Sequence, residues 1–313
     1  MRRRIAPLLG IALAALQLAA AAAPPSQAAV EPWSGKRAME DIEALLRFTP
    51  RSPGAPGHEQ AIAYITDELA KTPAKAVTLQ RWAYYPDDDA QIALTNIIGR
   101  TDPANPRRII VATHYDSIVR AYRDKRHPEA PMPGANNSAS GVALLLETAR
   151  VLQGLPTLAF GVDFVFFDGE EGPKSLGAGD PQWKALGSPH FARSLSELYP
   201  AGAPLKAIVF DMVCDRDLVL QPDKSSMSYA PAETTKFWAI GGDIAPSRFV
   251  RAMRDAAIND DHTALANAGI PSFLIIDFDY EPWFNTTEDT IDKCSASSLE
   301  AVGRTLVRYL HTP

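Results

Sequence analysis

The chain has 313 residues, 46% of them hydrophobic, and 31 Lys and Arg against 37 Asp and Glu give a formal net charge of −6. That length and apolar content supply one large domain or two modest ones with a real core, and exclude a disordered or fibrous chain. The acidic balance argues against a nucleic-acid partner, because phosphate binding rests on clustered Lys and Arg. In chain order, the opening "MRRRIAPLLGIALAALQLAAAAAPPSQAA" joins a basic stub to an apolar stretch and to small residues around Ala28 and Ala29. This predicts a secretory signal peptide over residues 1–29, a domain over 30–313, and a secreted or periplasmic protein with no stable membrane anchor after cleavage. Losing Arg2, Arg3 and Arg4 with the leader removes three positive charges and takes −6 to −9. No later run is apolar for long enough to span a bilayer.

Two helices lead the domain: residues 38–48 and 59–71 have helical apolar spacing, and the breaker-rich "TPRSPGAPGH" separates them. "QIALTNIIGR", "RRIIVATHYD", "VDFVFFDGEE", "LKAIVFDMV" and "PSFLIIDFD" are short runs rich in Ile, Val and Phe, which suits strands buried on both faces. A helix-like "SASGVALLLETARVL" lies among them, and the chain closes on "SSLEAVGRTLVRYL", where Ser297 and Glu300 fit a capping box. The segment "RAYRDKRHPEAPMPG" reads as a surface loop. The order predicts a single α/β domain with a mostly parallel central sheet covered by helices on both faces. Cys214 and Cys294 are the only cysteines, and a disulfide and two buried thiols are both open.

Polar residues fall where chemistry is expected. In open α/β sheets, ligands sit outside the carboxyl ends of the strands. Those ends carry His114 and Asp116, then Asp168, Glu170 and Glu171, then Asp211, Asp215 and Asp217, then Asp277 and Asp279. One acidic strand end is ordinary, but several on one edge repel and need a cation, shared protons or a cationic ligand. "THYDS" offers a metal-ligating His114 with Asp116 to orient it. "FFDGEEG" offers a general base beside a ligand. "NDDHTAL" groups Asp260, Asp261 and His262, a pattern that an ordinary helix N-cap also explains.

The ordered motifs "ATHYDS", "PGANNSASGVALLLE", "FVFFDGEEG", "IVFDMVCDRD", "DDHTALANAGIP" and "TTEDTIDKCSASSLEAVGRTL" resemble metallopeptidase family 28, the zinc aminopeptidases and their glutaminyl cyclase relatives, over about residues 38–311. The resemblance implies a zinc-exopeptidase-like fold and leans toward the cyclase branch. It implies that His114 and Asp211 belong to a first zinc site, Glu171 to a second, and Glu170 to the general base. It also implies a cyclase-type acid network of Glu170, Asp211 and Asp260. The bridging aspartate of the aminopeptidases falls at Asn137, and the last ligand, a histidine, falls at Asn285 or, with a one-residue slip, at Phe284. Neutral amides lose most of a carboxylate's attraction for a dication, so the expected cofactor is none or one weakly bound zinc, with no two-zinc site.

Three readings follow. The first is a glutaminyl-cyclase-like enzyme acting at peptide amino termini or amide substrates, with Glu170 moving protons, Asp211 and Asp260 sharing charge, and Trp283 or Phe284 walling the pocket. The second is an aminopeptidase with one metal on His114 and Asp211, or with His190 or His262 as a substitute ligand. The third is a non-catalytic binding protein, in which Glu171 and Asp211 take hydrogen bonds from neutral partners such as the asparagine amides.

Overall fold

The computed structural model of the chain describes residues 33–85, 91–172 and 183–312, so the expected leader lies outside the described residues. Helices α1 (Gly35–Leu46) and α2 (Pro56–Ala70) come first, as their spacing predicts. The sheet then forms from β1 (Ala76–Tyr84), β2 (Ile92–Arg100), β3 (Arg108–His114), β4 (Gly161–Phe167), β5 (Ala207–Asp211) and β6 (Ser272–Ile276). Its order is β1-β2-β4-β3-β5-β6. The β4-β3, β3-β5 and β5-β6 pairings are parallel, and β1-β2 and β2-β4 are antiparallel. The sheet is therefore mixed, with its parallel part carrying β3 to β6.

Strand side chains alternate between two apolar layers, as the two-residue period of a strand requires. Ile109, Val111, Phe164, Phe166, Ile208, Phe210, Phe273 and Ile275 join the layer under α1, α2, α3 (Gly141–Val151), α7 (Pro231–Ile244) and α9 (Ala296–Leu310). Ile110, Ala112, Val165, Phe167, Val209, Leu274 and Ile276 face the other layer, with Phe191 of α4 (Gly187–Arg193) and Leu265 of α8 (Asp261–Asn267). Burial on both faces is why these strands read as continuous apolar runs.

Several elements depart from the sequence expectation. Strand β1 is added at the edge, where the mixed "AVTLQRWAY" pairs with β2 along its whole length. Helices α4, α5 (Leu195–Leu198), α6 (Lys224–Tyr229) and α7 also carry no strong sequence signal. The capping box is not formed at Ser297 and Glu300: α9 begins at Ala296, and the Ser295 hydroxyl accepts from the Ser298 N–H at 3.3 Å. The helix starts two residues earlier, capped by Ser295. Cys214 and Cys294 are disulfide-bonded, tying the loop after β5 to the approach of α9. The loop "RAYRDKRHPEAPMPG" is exposed over residues 125–129 before Met132 turns into the interior.

Helix α3 packs on β3 more closely than a side chain allows. A Cβ on Gly141 would stand 2.0 Å from Thr113 Oγ1, so this glycine lets the helix start against the strand that ends in His114. Among the described residues no helix is long and apolar enough to cross a membrane.

Candidate active site

The carboxyl ends of β3, β4 and β5 and the start of α8 bring a buried acidic cluster to one sheet edge. His114 ends β3, Asp211 ends β5, Glu170 and Glu171 follow β4 through Gly169 in the left-handed region, and Asp260 caps α8. Asp116 organises the group. Its carboxylate accepts from the backbone N–H groups of Glu170 at 3.1 Å and Glu171 at 3.2 Å, and faces His114 Nδ1 at 3.3 Å. With Nδ1 committed to Asp116, His114 Nε2 points at Asp211 Oδ1, 3.2 Å away.

The asparagine loop reaches the same point from the other side. Residues 135–140 lead into α3 through a kink at Asn137, whose backbone is non-helical (φ −104°, ψ 88°), and Asp289 holds the segment by accepting from the N–H groups of Asn136 at 2.9 Å and Asn137 at 3.0 Å. Tyr280 donates its hydroxyl to the same carboxylate at 2.8 Å. Buried Arg51 donates to the carbonyls of Tyr115, Pro133 and Gly134 and pins the loop's entrance. Asn136 Oδ1 accepts from the Cys214 N–H at 3.0 Å, so the disulfide-bearing loop joins this frame. Asp289 and Arg51 were not legible as site residues, because they act on backbone groups far away in sequence.

Asn137 Nδ2 donates to Glu171 Oε1 at 2.6 Å and to Asn285 Oδ1 at 3.2 Å. Asn137, Glu171 and Asn285 therefore meet although they are far apart in the chain. Asn285 has φ 54°, a left-handed conformation that asparagine tolerates better than most residues. Of the two alternatives at this position, Asn285 is the one that reaches Glu171's partner. Phe284 instead lies under the Arg123 guanidinium, 5.3 Å from its ring centroid. Trp283 is covered by Lys293 Nζ at 4.5 Å and lines a surface hollow with Arg123 and His127.

Other strand-end acids go elsewhere. Asp168 binds His58 Nε2 at 2.9 Å and the Thr95 N–H at 2.6 Å, holding α2 to the sheet. Asp277 accepts from the Val219 and Asp279 N–H groups, Asp279 pairs with Arg254, Asp215 accepts from the Asp217 N–H, and Asp217 is exposed. His190 stacks on Trp82 at 4.1 Å, and buried His262 lies against Tyr229 at 5.9 Å.

Burial raises Glu170, Glu171, Asp260 and Asp261. Glu170 is pushed well above the usual carboxylate range, first by desolvation and then by the charges of Asp260, Glu171 and Asp261, against the pull of His114. Desolvation lifts Glu171 to about 8 and Asp261 to about 7, and holds Asp260 well above its ordinary value with help from the Asp211 charge. Burial alone would lower His114, but its bonds to Asp116 and Asp211 prevail and its imidazole is raised. Glu171 and Asp261 therefore hold protons in the neutral range, which suits proton transfer.

Zinc needs carboxylate, imidazole or thiolate donors. The family resemblance sets Asn137, which turns an N–H rather than an oxygen to Glu171, at the bridging position of a two-zinc centre, and Asn285, whose Oδ1 accepts from Asn137, at the last position. A two-zinc centre does not fit these residues. His114, Glu170 and Glu171 each offer a ligand atom within 4.8 Å of the others and could hold a single cation. Asp211 of the sequence-based ligand set stands beside this group, on His114 Nε2.

Comparisons with known proteins agree with the frame. Relatives include a glutaminyl-peptide cyclotransferase of Bos taurus, 24% identical over 87% of this chain and 81% of its own length. The aminopeptidase YwaD of Bacillus subtilis is 28% identical over 86% of this chain and 55% of its own length. A solved zinc-dependent exopeptidase of Parabacteroides distasonis superposes with TM-score 0.83 at 25% identity, covering 91% of this chain and all of that one. A Fimbriiglobus ruber glutaminyl cyclase gives TM-score 0.82 at 28% identity, covering 93% and 99%. The Peptidase family M28 model matches residues 96–310, most of the chain, and the protein belongs to that family.

Proposed function

We propose that the chain is a glutaminyl-cyclase-type enzyme that closes an amino-terminal glutaminyl residue into a lactam with release of ammonia, and that Glu170 carries the proton without a zinc ion at the matched positions. The observation that supports this most is the buried acid network around Glu170 standing beside a neutral Asn137–Glu171–Asn285 group. Acids suited to proton transfer stand beside two positions where neutral amides replace the carboxylate and histidine that the family resemblance implies.

In this reading the substrate's α-amine attacks the carbon of its own side-chain amide. A C–N bond forms, Glu170 takes a proton from the amine, and the same proton goes to the departing amide nitrogen, which leaves as ammonia. Asp211 and Asp260 share the charge that Glu170 gains and loses, and burial holds Glu170 and Asp260 well above the usual carboxylate range. Asn285 Nδ2, buried without a partner among the described residues, is the donor on hand for the oxygen of the attacked carbonyl. The cyclotransferases of Bos taurus and Drosophila melanogaster and the solved bacterial cyclases support the reaction class. Export is part of the proposal, supported by the leader pattern and by a disulfide suited to an oxidising compartment; a chain that stays cytoplasmic with its leader uncut would contradict it.

The test is a paired assay on purified protein. Ammonia should be released from a peptide beginning with Gln, with the peptide losing the mass of ammonia and no free amino acid appearing. Release of the first amino acid instead would favour an aminopeptidase, whose metal would then rest on His114, Glu170 and Glu171 or on His114 and Asp211. Neither product, from protein shown to be folded, would favour the non-catalytic reading. That reading has one point of its own in the Asn137–Glu171 bond, although Asp211 takes its hydrogen bond from His114 and not from an amide.

A further inference from the structure

Beside the segment that carries Asn285 lies a cavity of about 300 Å³, open to solvent and bounded by residues 123–127, 282–283 and 286–288. Its lining carries Arg123, Lys125, Arg126 and His127 against Asp124 and Glu288, and Glu288 faces Lys293 Nζ at 4.0 Å. Asp124 is consumed by the fold, since its carboxylate accepts from the N–H groups of Arg126, His127 and Thr287 and from the Thr287 hydroxyl. Arg120 pairs with Glu129 and Arg123 with Glu281. The side chains of Lys125 and Arg126 are exposed and have no ion-pair partner among the described residues. The loop that presents them is docked on the site, because the Arg123 N–H donates to the Asn285 carbonyl at 3.2 Å.

We infer that this hollow is a subsite for an acidic stretch of the peptide substrate, with Lys125 and Arg126 reading carboxylates a few residues beyond the reacting amino terminus. Alignment with a reacting amino terminus rests on the proposed function, while the charge preference itself rests on the surface. The reach is suitable. Trp283 on the cavity wall and Asn285 at the acid cluster are two residues apart, so their Cα atoms are separated by at most about 7.6 Å. An extended peptide advances about 3.3–3.6 Å per residue, so the Trp283–Asn285 separation corresponds to about two residues of peptide. Carboxylates there would meet two free cations, whereas basic side chains would be repelled.

The experiment measures fluorescence anisotropy of three peptides that begin Gln-Ala, carry Glu-Glu, Gln-Gln or Lys-Lys at positions three and four, and bear a dye at the carboxyl end. At low salt the Glu-Glu peptide should bind about 5–10-fold more tightly than the Gln-Gln peptide, and added salt should shrink the gap. The variant Lys125→Glu/Arg126→Glu, altered only at exposed positions, should lose the preference while binding the Gln-Gln peptide as the parent does. Equal binding of the three peptides by the parent, or a preference that persists in the variant, overturns the inference. Ammonia assays run beside it separate the two proposals: a charge preference in a chain that releases no ammonia supports the subsite and removes the cyclase reaction.

Discussion

Replacing Glu170 with Gln should lower ammonia release by about 10²–10⁴-fold, the usual worth of a positioned general acid–base group. Gln keeps the shape and fills the same buried space, but it cannot take the amine proton or return it to the leaving nitrogen. The variant should also be at least as stable as the parent. Glu170 is held well above its ordinary range by burial and by neighbouring acids, so a neutral side chain there relieves repulsion instead of breaking a bond. This pairing separates chemistry from folding: a thermal melt at or above that of the parent with turnover lost is expected. Turnover kept within about threefold would remove Glu170 from the proposed mechanism.

The second large effect concerns zinc. Asn137→Asp with Asn285→His should create a site in which Asp, Glu171 and His converge, because the present side chains already meet within 2.6 and 3.2 Å. Structural zinc in four-ligand sites draws about 10–16 kcal/mol from the ion, or about 3 kcal/mol per ligand, so two added ligands should raise affinity on the order of 10⁴-fold. Calorimetric titration with zinc should show one tight equivalent in the double variant, with aminopeptidase or cyclase turnover gained over the parent. A folded double variant that takes up no zinc would show that these positions do not converge as described, and the doubt cast on the metal would go with it.

The parallel half of the fold was legible because burial on both faces writes β3 to β6 as unbroken apolar runs ending in polar residues. Edge strand β1 was not, since "AVTLQRWAY" pairs on one side only and keeps a mixed burial pattern. Helix α7 was hidden for a related reason: its apolar residues do not make a clean stripe, and tertiary packing of Phe237 and Trp238 carries it. At the site, His114, Glu170, Glu171, Asp211 and Asp260 stood out as polar residues at strand ends or before a helix. Asp289 and Arg51 escaped notice because their work is on the backbone of residues 133–137, a relation that neither period nor spacing records. The meeting of Asn137 with Asn285 came into view through the family resemblance, and geometry supplied the sense of the bond, with an amide N–H turned toward Glu171.

The central claim is that proton transfer at Glu170 proceeds with the matched zinc positions neutral. It is tested most directly by measuring ammonia release from a glutaminyl peptide after the protein has been stripped exhaustively with a chelator, its metal content being determined in the same sample. The account expects unchanged turnover with zinc well below one equivalent. Turnover abolished by chelation and restored by one equivalent of zinc would contradict it.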